Sequence, residues 1–180
     1  MKTTAFLTIG LTLGIFYFLS QFEQKKMLEN TRMAEAIIIS KSGSEVNGKV
    51  VFEERNGKVT MKALVKGASP GNHAIHIHVN GDCSADDGTS AGGHWNPTEE
   101  NHGKWGSDSF HRGDIGNLEV GKDGEGRISR TTDLWCIGCE DENKDILGKA
   151  IIIHAGIDDF STQPSGAAGA RIGCGEILEK

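Results

Sequence analysis

From residue 34 onward the chain repeats its hydrophobic residues at period two and never for long at period 3.6. No stretch of ten or more residues keeps a helical pattern, whereas short alternating runs recur between glycine-rich turns, which predicts an all-β domain. In residues 58–66 (KVTMKALVK), Val59, Met61, Ala63 and Val65 point one way while Lys58, Thr60, Lys62 and Lys66 point the other, so one face is core and one is wet. Residues 48–54 behave alike, and Asn56-Gly57 between the two runs is the dipeptide a type I′ hairpin needs. A second hairpin is expected through 118–120, a turn at 121–126, and 127–132. With 36–40, 73–79, 149–154 and 170–177 added, about eight strands emerge, the number expected of an antiparallel Greek-key barrel or sandwich. Glycine, at 25 of 180 residues, has about twice its usual share of roughly 7%, as a loop-rich β protein requires. Residues 81–116, glycine-rich and without a strand pattern, are the expected functional loop.

The N-terminus is of another kind. Residues 3–20 are an uncharged apolar run behind Lys2, apolar on every face, with a polar stretch at 21–33. The run lies on the border between a signal-peptide core and a membrane-spanning helix, which needs roughly 20 residues. Residues 1–33 are therefore expected to be an export signal or membrane anchor plus a polar linker. The one Ala-x-Ala triplet nearby, Ala34-Glu35-Ala36, lies well beyond the run. Either reading places a single β domain, residues 34–180, outside the cytoplasm: periplasmic, membrane-anchored or extracellular. A formal charge of −6, from 19 basic and 25 acidic residues, speaks against a nucleic-acid partner, and a small anionic substrate would have to be attracted locally.

All seven histidines (His73, His76, His78, His94, His102, His111 and His154) fall between residues 73 and 154, most of them beside glycine or within apolar strands. A single histidine in such a place is more often a hydrogen-bonded core residue than a ligand; seven together weaken that explanation. In Ala74-Ile75-His76-Ile77-His78, strand period puts both histidines on one face, where two imidazoles can clamp one metal. His154 closes the apolar strand Ala150-Ile151-Ile152-Ile153-His154, where a partnerless histidine is costly to bury, and is a natural third ligand. His102, His111 and Asp114 lie in the glycine-rich loop, and three histidines with one carboxylate suit a closed tetrahedral site. His94 stands between the two groups in sequence and can serve either.

Gly71-Asn72-His73-Ala74-Ile75-His76-Ile77-His78, Gly81-Asp82-Cys83-Ser84, Ala91-Gly92-Gly93-His94-Trp95-Asn96-Pro97, His102-Gly103, His111-Arg112-Gly113-Asp114-Ile115-Gly116-Asn117 and Gly166-Ala167-Ala168-Gly169-Ala170-Arg171-Ile172-Gly173-Cys174-Gly175 together resemble the Cu/Zn superoxide dismutase family, bacterial exported type. The resemblance implies one copper per subunit on His76, His78, His94 and His154, and one zinc per subunit on His94, His102, His111 and Asp114, with His94 bridging. Four imidazoles suit tetragonal copper, and three with a carboxylate suit zinc. It implies that Asp158 hydrogen-bonds a histidine of each metal, here His76 and His102. His73 is then structural. Arg171, an always-charged fork of donors, is the residue implied to attract and orient the substrate. The segment from His154 to Arg171 contains no lysine, so Arg171 and copper supply the local pull.

Cys83 and Cys174 match the family's disulfide pair, which would also position Arg171 three residues before Cys174. Cys136 and Cys139, in Trp135-Cys136-Ile137-Gly138-Cys139, are extra to the common pattern. A turn with Gly138 at its third position favours a small disulfide; the rival, a redox or metal-binding C-x-x-C, lacks a thioredoxin-like βαβ context. The expected function is dismutation of the superoxide anion, with His94 taking a proton in one half-cycle and delivering it in the next. The alternative is a non-enzymatic copper-binding or buffer module on the same fold. Membrane attachment through the N-terminal segment and a homodimer both stay open, because family dimers use different surfaces and no exposed apolar stripe selects one.

Overall fold

Backbone pairing defines nine strands among residues 31–180, which the computed structural model describes: β1 (Arg32–Ser40), β2 (Asn47–Arg55), β3 (Lys58–Lys66), β4 (Gly71–His78), β5 (Gly116–Val120), β6 (Gly126–Thr132), β7 (Ala150–His154), β8 (Arg171–Glu176) and β9 (Leu178–Glu179). The export segment or anchor expected at residues 1–33 falls almost wholly outside these residues. Neighbouring strands pair antiparallel in the order β2-β3-β6-β5-β4-β7-β8-β1, and β1 pairs back onto β2. The sheet is thus a closed eight-stranded barrel, the all-β Greek-key architecture expected, with β9 added against the N-terminal half of β1.

The β2–β3 hairpin shows how sequence sets register. Asn56 and Gly57 both have positive φ, 52° and 70°, as a type I′ turn demands, and Arg55 pairs with Lys58 directly across it. Everything downstream follows at period two: Val50, Phe52, Val59, Met61, Ala63 and Val65 enter the barrel, joined by Ala34, Ala36, Ile38, Ile75, Ile77, Leu118, Ile151 and Ile153. Trp135, in the loop 133–149, caps this core edge-on to Phe52 and Trp105, with ring centroids 6.2 and 5.1 Å away. Its indole N–H donates to Arg112 O at 2.9 Å, which satisfies the one polar atom it buries.

Two departures from the expected strands have simple causes. β1 begins at Arg32, not at residue 36, because residues 32–35 pair with residues 51–54 of β2 and Ala34 is already core. β4 is buried on both faces from His73 to His78, since loops cover the side opposite the core. On that outer side a smaller apolar cluster of Ala91, Ala150, Ile152 and Cys174, with Cys83 against it, seats the part of the β4–β5 loop that carries Cys83 and Ala91 on β7 and β8.

Candidate metal centre

The covered face of β4 and β7 carries the histidines. His76 pairs with Ile152, so strand period puts His154, two residues on, on the same face as His76 and His78, and its ring centroid lies 5.0 and 5.5 Å from theirs. Between Ile153 and His154 the β7–β8 register shifts by one residue, and His154 comes to lie opposite Arg171. His94 reaches the same place from the long loop: residues 93–95 run antiparallel to the end of β4, with Trp95 N–H on Ile77 O at 2.8 Å and Val79 N–H on Gly93 O at 3.0 Å.

In the first group, His76, His78, His94 and His154, the ligating atoms lie within 4.8 Å of one another. Each ring spends one nitrogen on a fixed acceptor: His76 Nε2 on Asp158 Oδ2 at 2.8 Å, His78 Nδ1 on Gly92 O at 2.8 Å, His94 Nδ1 on Asp114 Oδ1 at 2.8 Å, and His154 Nδ1 on Gly169 O at 3.3 Å. A nitrogen facing an acceptor carries the proton, so the other presents a lone pair. Those others, His76 Nδ1, His78 Nε2, His94 Nε2 and His154 Nε2, are buried and without a hydrogen-bond partner. Burial lowers the pKa of His78, His94 and His154, the last two to about 4 and about 3, which keeps the lone pairs free at neutral pH. Four convergent lone pairs call for a cation, and an all-imidazole set suits copper.

His94, His102, His111 and Asp114 form the second group, also within 4.8 Å. Asp114 is fully buried at its centre: Oδ1 lies 2.8 Å from His94 Nδ1 and 3.2 Å from His111 Nδ1, and Oδ2 lies 3.0 Å from His102 Nδ1. Burial resists ionisation of Asp114, yet hydrogen bonds from His102, His111 and His94 outweigh it and hold the carboxyl well below its usual range. For His102 burial is again the largest influence and pulls downward, but Asp114 and Asp158 together push its pKa up to about 9. Three imidazoles around one committed carboxylate fit zinc.

A family model described as copper/zinc superoxide dismutase (SODC) matches residues 46–177. The chain belongs to the copper/zinc superoxide dismutase family. In this superoxide dismutase fold, Asp158 joins the two groups, Oδ2 on His76 Nε2 and Oδ1 on His102 Nε2, both at 2.8 Å. An open channel of about 530 Å³ leads to them, lined by His78, His94, His111 and His154 together with Arg171. Arg171 is half-buried and donates from Nη1 to Gly88 O at 2.8 Å. Gly88 belongs to the loop that the Cys83–Cys174 disulfide fastens to β8. Cys136 and Cys139 are also bonded, with Arg32 donating to both Ile137 O and Gly138 O at 2.7 Å. His73 stands apart: its nitrogens face His154 O and Ser69 O at 2.9 and 2.8 Å, leaving none for a metal.

Several residues around this site have roles that the sequence does not mark. Lys41 is buried, its ammonium donating to Cys83 O at 2.5 Å beside the disulfide. Asn117 clips the backbone of Asp158 at both ends, accepting from Asp158 N at 2.8 Å and donating to Asp158 O at 3.0 Å. Gln163 treats His102 in the same way. Each is an ordinary polar side chain in the sequence, and only the third dimension shows what it holds.

Proposed function

We propose that the domain dismutates superoxide, converting two superoxide anions and two protons into dioxygen and hydrogen peroxide. Copper would be held by His76 Nδ1, His78 Nε2, His94 Nε2 and His154 Nε2, and zinc by His94, His102, His111 and Asp114. When bound, copper supplies one-electron oxidation of one superoxide and one-electron reduction of the next, while zinc is redox-inert. The observation that carries this reading is the set of four buried, unpartnered imidazole nitrogens at the end of a channel flanked by a guanidinium.

The chain's own residues then divide the work. Arg171 attracts the anion into the channel and orients it, its fork aimed by the bond to Gly88 O. His94 would take a proton at Nε2 only while that nitrogen is released from the metal, and would give it up to the reduced oxygen as the nitrogen binds again, with Nδ1 turned to the zinc group 2.8 Å from Asp114 Oδ1. Asp158 fixes the rings of His76 and His102 from behind. Two disulfides suit an oxidising compartment, and we read the segment ahead of β1 as the export signal or anchor and the domain it delivers as beginning at Arg32, two residues before the boundary expected from the sequence. Among the described residues no helix is long and apolar enough to cross a membrane.

The test is metal content and dismutase activity of the full chain. Wild type should bind copper and zinc and turn over superoxide, whereas His76→Ala and His154→Ala should lose copper and activity while keeping the β-sheet circular dichroism signal. Full activity in either variant would overturn the copper assignment. Stoichiometric copper without turnover in wild type would make the domain a copper store.

A further inference from the structure

His102 sits in a stretch without sheet pairing, and its fixed points come from another part of the chain. Gln163 Oε1 accepts from His102 N–H at 2.9 Å, and Gln163 Nε2 donates to His102 O at 2.9 Å and to Ser161 O at 3.3 Å. The ring is held from the same segment, through His102 Nε2 on Asp158 Oδ1. Three of the four polar atoms of His102 are thus engaged by residues 158–163, and the fourth, Nδ1, faces Asp114 Oδ2 at 3.0 Å inside the group that would hold zinc. That segment is itself referred to the barrel, because Asn117 of β5 clips Asp158 at both backbone ends. Gln163 is exposed overall, but its carboxamide faces His102.

We propose that Gln163 is a positioning residue for the zinc site: its two-point clip on the His102 backbone fixes the imidazole and slows escape of the metal. The chemistry of the carboxamide is specific to this task, since one planar group must accept from an N–H and donate to a carbonyl of the same residue. A glutamate keeps the acceptor and loses the donor. An alanine loses both, leaving His102 held only by its ring, between Asp158 and Asp114. The proposal rests on the two-metal reading above.

The experiment uses the full chain loaded with copper and zinc, and in parallel with cobalt(II) in place of zinc. It compares wild type with Gln163→Ala, Gln163→Glu and Thr162→Ala. Thr162 donates its N–H and its hydroxyl to the Asp159 carboxylate in the same turn, so its alanine variant loses the hydroxyl bond and loosens the loop without removing the clip. Zinc transfer to an excess of chromogenic chelator should be about ten- to a hundredfold faster in Gln163→Ala, as for other residues that orient metal ligands. Gln163→Glu should fall between, and Thr162→Ala should match wild type. The visible cobalt bands of Gln163→Ala should shift or weaken, and copper content should be unchanged. Zinc release within twofold of wild type in Gln163→Ala, or in Gln163→Glu should the alanine variant not fold, would overturn the proposal. So would equal acceleration in Thr162→Ala. If wild type itself takes up neither zinc nor cobalt, the two-metal reading falls and the clip with it.

Discussion

Gly166, at φ +69°, lies so close to Asp158 and His102 that a methyl group there would overlap Asp158 Oδ1 and crowd His102 Nε2. Gly166→Ala should therefore strain the carboxylate that joins the two histidine groups. A loss of about 1–3 kcal/mol is expected from the backbone conformation alone. Denaturant unfolding of the metal-loaded protein measures it, and zinc content should fall in parallel. Arg171→Ala tests a different chemistry, since Arg171 sits in the channel and none of the metal-ligating atoms belongs to it. It should keep both metals and slow dismutation roughly tenfold or more, the scale of local electrostatic attraction. The rate of wild type should also fall as salt rises, and that of the variant much less. A variant as fast as wild type at low salt would remove Arg171 from the mechanism.

At the scale of elements, the two disulfides close loops of very different length. Cys136 and Cys139 are three residues apart, and Cys83 and Cys174 are 91 apart. Loop-closure entropy predicts a cost of about 2 kcal/mol for opening the first and about 4.6 kcal/mol for the second. Paired Cys→Ser variants, unfolded in denaturant, should rank in that order. The long one should also depress activity, because Arg171 rests on Gly88 in the loop it fastens. Strands with a clean alternation, such as β3, were legible to the residue, and the Asn56-Gly57 turn fixed where β2 ended and β3 began. β9 was not legible, because two residues cannot display a period. The histidine groups were legible because seven imidazoles cannot all be ordinary core residues. Gln163, Asn117 and Lys41 were hidden because their roles are hydrogen bonds across 41 to 61 residues, which no local pattern carries.

For the molecule as a whole, the charged centre makes the stability of the metal-free form depend on pH from both sides. His94 and His154 are depressed by burial to about 4 and about 3, from 6.5. The unfolded chain therefore takes up their protons first, and stability falls as pH drops below 6.5. His102, raised to about 9, does the reverse: its contribution is complete below pH 6.5 and is lost as pH rises through 9. Thermal unfolding of chelator-treated protein should therefore show a maximum near pH 6.5. Reloading zinc should remove the alkaline decline, because the metal then occupies the lone pair that the proton held. A steady rise of melting temperature from pH 5 to 10 in the metal-free form would contradict this. The closed barrel carries one further consequence. β8 reaches only Ile39 and Ser40 of β1, and β9 pairs with Ala34 and Glu35 farther along the same side. Lys180 continues that pairing with its N–H on Met33 O at 2.9 Å, and its ammonium meets Glu35 at 3.3 Å. The last three residues thus act as a selvedge, the finished border that keeps a cloth from unravelling into its neighbour. Removing residues 178–180 should bare a row of backbone donors and acceptors beside the exposed Ile37 and Ile39, and light scattering on warming should show such chains joining edge to edge where the intact chain stays clear.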